Sequence, residues 1–314
     1  MTLRIGWAGL GSMGLGMALN LQKHLQAQGQ LALRYSNRSL AKGRPLQDAG
    51  ATPEKDFESL VQACDIIFTM VSTDEVLNEL LSKPLDSNCS LDGKIFVDTS
   101  TIHPDTAGAV AQRLAEKGAA FVSSPVFGAS PVAAAGKLIF AMAGPTFALE
   151  TVKPLILGVM GRSIINMGED VRKSSLLKIC GNILVISFME VLSEAHVFAE
   201  KTSLDTSQFD EFIGNMFGPV IQSYSARITS GSYAPPLDQS PGFAAALACK
   251  DMRHALNIAK VNGMSLPTVE VAYSRLSRAR EFAGECLDSA AMYGTARQEA
   301  GMGFWNEKSR QGNE

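Results

Sequence analysis

Three glycines near the start of the chain have the spacing of a phosphate-binding turn. Leu3 to Ala8 is a strand-like apolar run, Gly9-Leu-Gly11-Ser12-Met13-Gly14 follows it directly, and a helix-compatible stretch runs from Leu15 through Gln28. Gly-x-Gly-x-x-Gly carries weight in this one setting, after a strand and before a helix. Gly9 permits the tight turn, Gly11 lets the backbone approach a pyrophosphate, and Gly14 lets the helix pack closely on its strand. The helix N-terminus adds free N–H groups and a partial positive charge for the phosphates. The sequence therefore predicts a dinucleotide site, with Ser12 and Met13 at the crest of the loop.

The end of the second strand selects the dinucleotide. An Asp or Glu there holds a ribose 2′-hydroxyl, whereas an Arg accepts a 2′-phosphate. Here the run Leu31–Ser36 leads into Asn37-Arg38-Ser39, Lys42 follows, and no carboxylate occurs between Gln30 and Gln47. Arg38 offers a planar fork to phosphate and Lys42 a point charge. NADP(H) is the expected cofactor.

Lys178 is the second residue that could do chemistry. It stands among Leu176, Leu177, Ile179, Cys180 and Ile183, with Asn182 four residues on along the same helical face. An apolar setting disfavours a charged ammonium, and a lysine brought toward ~7–8 can protonate a developing alkoxide. Asn182 would hold the same oxygen by hydrogen bonding. The plain alternative is a lysine that snorkels from an apolar helix.

The elements that must position these residues fall into two patterns. Up to about Gly168, short apolar runs alternate with helical stretches, as in a parallel, doubly wound sheet. Strands are expected at Arg4–Ala8, Ala32–Ser36, Ile66–Met70, Ile95–Asp98, Ala120–Ser123, Ile139–Ala143 and Ser163–Met167, and helices at Pro104–Lys117 and Thr146–Leu157. Ser174–Lys201 is then one long helix, apolar around most of its circumference, which must be covered on most sides. Helices are expected at Thr206–Gly214, Pro219–Ile228, Phe243–Asn262 and Thr268–Ala283. The expected fold is α/β: an N-terminal doubly wound Rossmann-type sheet (1–168), then an all-α C-terminal domain (169–300) joined by the long helix. A mobile polar tail (301–314) is expected to follow.

Bulk composition narrows the function. The 314 residues are 46% hydrophobic and 19% charged, with a net charge of −3, which provides no general basic field for nucleic acid. The five cysteines are odd in number, widely spaced and free of any CxxC pair, as expected of reduced thiols in a cytoplasmic protein. The four histidines are scattered, so no metal site is expected. No run is expected to be long enough to span a membrane. A small-molecule substrate is the expected partner, and the apolar helix predicts a homodimer or higher homo-oligomer.

The order of motifs resembles the β-hydroxyacid dehydrogenase family, the 3-hydroxyisobutyrate dehydrogenase-like enzymes. The resemblance runs through Gly9–Leu21, Asp98-Thr-Ser100-Thr101-Ile-His-Pro104, Ser123-Ser-Pro125-Val126-Phe127-Gly128-Ala129, Lys178-Ile-Cys-Gly181-Asn182, and Gly242-Phe243 with Lys250-Asp251. It implies hydride transfer between NADP(H) and a small β-hydroxy acid or the corresponding carbonyl acid. Lys178 would be the general acid/base and Asn182 the orienter of the reacting oxygen. Ser100 and the segment Phe127, Gly128 and Ala129 would meet the substrate carboxylate. Met70, Val71 and Ser72 would line the cofactor cleft, with Thr101 beside it and Phe243 and Lys250 near the nicotinamide.

Two departures stand out. The family's substrate loop usually has Ser-Gly-Gly where this chain has Phe127-Gly128-Ala129, and the first asparagine of the Lys motif is Gly181 here. The rival readings are an imine reductase-like enzyme, against which Lys178 argues, and a dinucleotide-binding paralogue without turnover. Resemblance to 6-phosphogluconate dehydrogenase is more distant.

Overall fold

The apolar run before the glycine loop forms β1 (Ile5–Ala8), and the loop opens directly into α1 (Ser12–Ala27). β2 (Arg34–Ser36), α2 (Arg44–Asp48), β3 (Thr52–Pro53), α3 (Phe57–Ala63), β4 (Ile66–Thr69), α4 (Asp74–Asp86), β5 (Ile95–Asp98), α5 (Pro104–Ala115) and β6 (Ala120–Ser123) follow. They build one parallel sheet in the order β3-β2-β1-β4-β5-β6. β1, β4, β5 and β6 are buried at every position, because a parallel sheet covered by helices on both faces needs continuous apolar runs rather than alternating ones. Trp7 stacks on Phe68 across β1 and β4, with ring centroids 5.4 Å apart. Capping fixes several helix starts. Asp56 accepts from Ser59 N–H and Thr73 from Val76 N–H, while Pro104 opens α5, where its missing N–H costs nothing.

The two strands expected after β6 do not extend that sheet. β7 (Val126–Phe127), α6 (Ser130–Ala134), β8 (Leu138–Met142), α7 (Thr146–Ile156) and β9 (Gly161–Asn166) form a separate three-stranded sheet, order β7-β8-β9. β7 pairs antiparallel with β8, and β9 pairs parallel with it.

Helices make up the rest: α8 (Val171–Lys201), α9 (Thr206–Thr229), α10 (Ala245–Val261), α11 (Pro267–Ala283) and α12 (Met292–Glu299). The two helices expected at Thr206–Gly214 and Pro219–Ile228 are the two arms of α9, which meet at a kink. Gly218 takes φ 79° and ψ 178° there, a conformation open to glycine, and Pro219 after it cannot donate a helical hydrogen bond across the break. The structure describes residues 3–87 and 89–312 and is a computed structural model. It divides into two compact units, Met1–Lys178 and Ile179–Glu314. The division falls inside α8, beyond the change of sequence pattern at 168. The first turns of α8 belong to the first unit: Val171 joins the core between the sheet and α3–α5, and Ser175 lies 3.4 Å from Ser123 at the end of β6.

Two expectations are corrected. By length and composition α8 would suffice to cross a membrane, a test that core helices also pass. Within the second unit it carries buried Asn182, Glu190 and His196, bonded respectively to Asp251, Arg275 and Ser225. The tail is also not loose through residue 312. Phe304 is buried, the Tyr233 hydroxyl donates to its carbonyl at 2.9 Å, and the Arg310 guanidinium donates to the carbonyls of Ala283 and Cys286. Two aromatic rings, Phe304 and Trp305, give this otherwise polar segment something to bury. Residues 313 and 314 lie outside the described residues.

Candidate active site

The glycine loop stands where the strand order reverses, at the carboxyl ends of β1 and β4, which is where open parallel sheets bind ligands. Gly9 follows β1 with φ +97°, and a Cβ on it would come within 2.1 Å of the Met70 carbonyl oxygen, just past β4. The turn therefore requires glycine. A Cβ on Gly14 would strike the Gly9 carbonyl oxygen at 2.1 Å, so the third glycine serves the turn itself more than the helix–strand contact. Gly11 caps α1 without any side-chain hydrogen bond, and a Cβ there would meet nothing within 4 Å. Gly11 and Ser12 are exposed and Met13 half-buried. An open, uncapped helix N-terminus behind a glycine turn has the free N–H donors and positive dipole end that a pyrophosphate needs. The residues present fit a nicotinamide dinucleotide.

Neighbouring strand ends frame the loop. Asn37 accepts from Leu10 N–H at 2.9 Å and donates to the Ser39 carbonyl at 2.8 Å, which ties the end of β2 to the loop. Arg38 and Lys42 are exposed beyond it. Met70 and Val71 are half-buried and Ser72 exposed after β4.

Ser100 is tied into the sheet. It is only 1% exposed; its hydroxyl donates to Asp98 Oδ1 at 2.7 Å and accepts from Val71 N–H at 2.8 Å. Thr69 donates to the same Asp98 oxygen at 2.7 Å. In this arrangement the Ser100 hydroxyl bridges Asp98 and the Val71 N–H and braces the turn after β4. Thr101, next in the chain, is half-buried.

Lys178 and Asn182 sit one turn apart on α8. Lys178 is half-buried while Leu176 and Cys180 are exposed, because residues two apart on a helix point to different sides. Its apolar setting comes instead from Phe127, whose ring centroid lies 4.6 Å from the ammonium nitrogen. Gly128 and Ala129 continue from Phe127 into α6.

In the second unit Asn182 is buried and donates to Asp251 Oδ2 at 2.6 Å. Asp251 Oδ1 lies 3.2 Å from the ammonium of Lys250, and both of these residues are buried on α10. Asp251 thus joins two of the expected site residues, yet the sequence reading gave it no role. The adjacency of Lys250 and Asp251 was the only signal. Phe243, half-buried just before α10, donates its N–H to Asp288 Oδ2 at 2.8 Å, which fixes its backbone. Among the described residues no group of three His, Cys, Asp or Glu side chains could hold a metal ion.

A glycine turn at the switch point of a parallel sheet, followed by a helical unit, defines an oxidoreductase that uses a nicotinamide dinucleotide. Residues 4–168 match the family model described as the NAD binding domain of 6-phosphogluconate dehydrogenase, and residues 173–296 that of the NAD-binding of NADP-dependent 3-hydroxyisobutyrate dehydrogenase. The chain belongs to the β-hydroxyacid dehydrogenase family.

An NADH-dependent oxidoreductase of Aspergillus ustus is 29% identical over 93% of this chain and 98% of its own length. The 2-hydroxy-3-oxopropionate reductase of Escherichia coli is 28% identical over 92% of this chain and 96% of its own. The solved 3-hydroxyisobutyrate dehydrogenase of Mycobacterium tuberculosis shares the fold with a TM-score of 0.77, at 24% identity over 95% of this chain and 100% of that one.

Proposed function

We propose that this chain transfers a hydride between NADP(H) and a small β-hydroxy acid or the corresponding carbonyl acid. The observation that carries the reading is Lys178, with an aromatic ring over its ammonium and Asn182 one turn on, in a chain whose glycine loop stands at a sheet switch point. Bound NADPH supplies the hydride to the carbonyl carbon. Lys178 gives a proton to the carbonyl oxygen as negative charge develops there, leaving an alcohol and a neutral amine. In the oxidative direction the amine takes that proton back. Asn182 orients the oxygen, and Asp251 holds the asparagine's amide in one orientation.

Arg38 supports the choice of NADP(H): it is exposed past the end of β2, in a stretch with no competing carboxylate. The A. ustus relative is named for NADH, so the choice calls for a direct measurement. Charge-assisted hydrogen bonds contribute roughly 1.5–3 kcal/mol. Arg38→Ala therefore weakens NADPH binding by about 10- to 100-fold and leaves NADH binding nearly unchanged, as read by fluorescence titration. Equal affinity of the unmutated protein for both cofactors sinks the assignment.

A homodimer is part of the same proposal. Leu184, Phe188, Val191 and Phe198 are all exposed on α8 at spacings of four, three and seven residues, which puts them on one side of the helix. Light scattering at micromolar concentration should give at least twice the 33.5 kDa chain mass. A clean monomer would remove the dimer and leave the stripe to be covered some other way.

A further inference from the structure

Phe127 occupies a place in the fold that fixes where its ring points. It ends β7, pairs in register with Ile139 of β8, and is followed by Gly128 at φ +129°. That positive φ favours glycine, and a Cβ there would also come within 2.7 Å of the Leu138 side chain and 2.9 Å of that of Val132. The far side is held as well. Asn20 on α1 donates to the carbonyls of Ala133 and Ala134 at the end of α6, at 2.9 and 3.2 Å. A side chain on a segment pinned at both ends keeps its direction.

That direction is toward the Lys178 ammonium, 4.6 Å from the ring centroid. The face of an aromatic ring is negative, so it attracts the ammonium and repels a carboxylate laid against it. Ala129 adds only a methyl group to the same segment. The wall that this segment presents is therefore apolar.

We propose that Phe127 determines specificity in the reaction proposed above. Its ring seats the Lys178 ammonium and selects substrates whose substituent beside the reacting carbon is apolar rather than a second charged group. The inference rests on the oxidoreductase reading.

The test uses the full-length protein and matched aldehyde acids that keep one carboxylate in common and differ only in carrying a branched alkyl group or a second carboxylate beside the reacting carbon. The wild type favours the alkyl member in kcat/KM. Phe127→Ser shifts the ratio about tenfold or more toward the dicarboxylate member, the scale on which an apolar pocket discriminates. Phe127→Leu keeps the apolar wall and the wild-type ratio.

A second readout does not need turnover. Competitive acetylation by acetic anhydride at neutral pH, followed by peptide mass spectrometry, reports how much of Lys178 is neutral amine. Phe127→Leu raises its labelling about two- to fivefold, the effect of losing a half-exposed cation–π contact. Phe127→Tyr, which keeps a ring, restores the wild-type rate. A ratio unmoved by Phe127→Ser overturns the specificity role, and labelling unmoved in Phe127→Leu overturns the ring's hold on the ammonium. If the wild type reduces neither member of any pair, the oxidoreductase reading itself has failed, while the labelling still decides the contact.

Discussion

Lys178→Ala lowers the turnover of a verified substrate by about 10²- to 10⁴-fold, the range expected for a lost general acid or base, and leaves NADPH affinity nearly unchanged. In the proposed reaction the ammonium is the proton donor, and water is a poor replacement in a site shaped around a fixed donor. Lys178→Arg does not restore the rate, because a guanidinium stays protonated near neutral pH and cannot hand over its proton. Steady-state kinetics beside a cofactor titration separate the chemical step from binding. Wild-type turnover in Lys178→Ala would place the proton donor elsewhere and end the assignment.

The second large effect is on stability and centres on Asp251. Its carboxylate is shared between the Lys250 ammonium at 3.2 Å and the Asn182 amide at 2.6 Å, and all three residues are buried. Asp251→Ala removes a counter-charge from a buried cation and an acceptor from a buried donor at once. Breaking such a pair from one side costs about 3–5 kcal/mol, so the urea midpoint of the helical unit should fall markedly. Asp251→Asn keeps an acceptor for Asn182 but no charge for Lys250, and should lie between the two. Circular dichroism during urea titration reads both variants. A midpoint unchanged in Asp251→Ala would mean that the carboxylate is not the partner holding these groups.

Much of the dinucleotide-binding unit was legible because its signals are local. The runs that became β1, β4, β5 and β6 are apolar until a single polar residue closes each of the last three (Thr69, Asp98, Ser123), and Gly9, Gly11 and Gly14 sit between a strand and a helix that each announce themselves. β3 and β7 were missed because two residues carry no period, and Thr52-Pro53 is an exposed edge where proline is tolerated. The separate sheet of β7, β8 and β9 was also hidden, since pattern identifies a strand but not its partners.

The site shows the same division. Lys178 and Asn182 were visible as one turn of one helix. The hydrogen bond from Asn182 to Asp251 joins residues 69 apart in the chain, and no periodicity spans that distance. Ser100 was recognisable as a motif residue. That its oxygen also accepts from Val71 N–H, 29 residues away, depends on the turn after β4 reaching the end of β5, which only the assembled sheet decides. Apolar neighbours in sequence were likewise a poor guide to the surroundings of Lys178, which include the ring of Phe127, 51 positions earlier.

The docked C-terminal segment bears on the order in which the chain acquires its structure during synthesis. Every strand of the first unit lies before residue 167, so that sheet can close while the rest of the chain is still being made. The second unit has no such freedom. Tyr233 is fully buried against Phe304 and bonded to its carbonyl, and Arg310 holds the carbonyls of Ala283 and Cys286. Its core therefore stays open until residues 304–310 have emerged, and the apolar length of α8 is exposed to chaperones and to neighbouring chains for that interval.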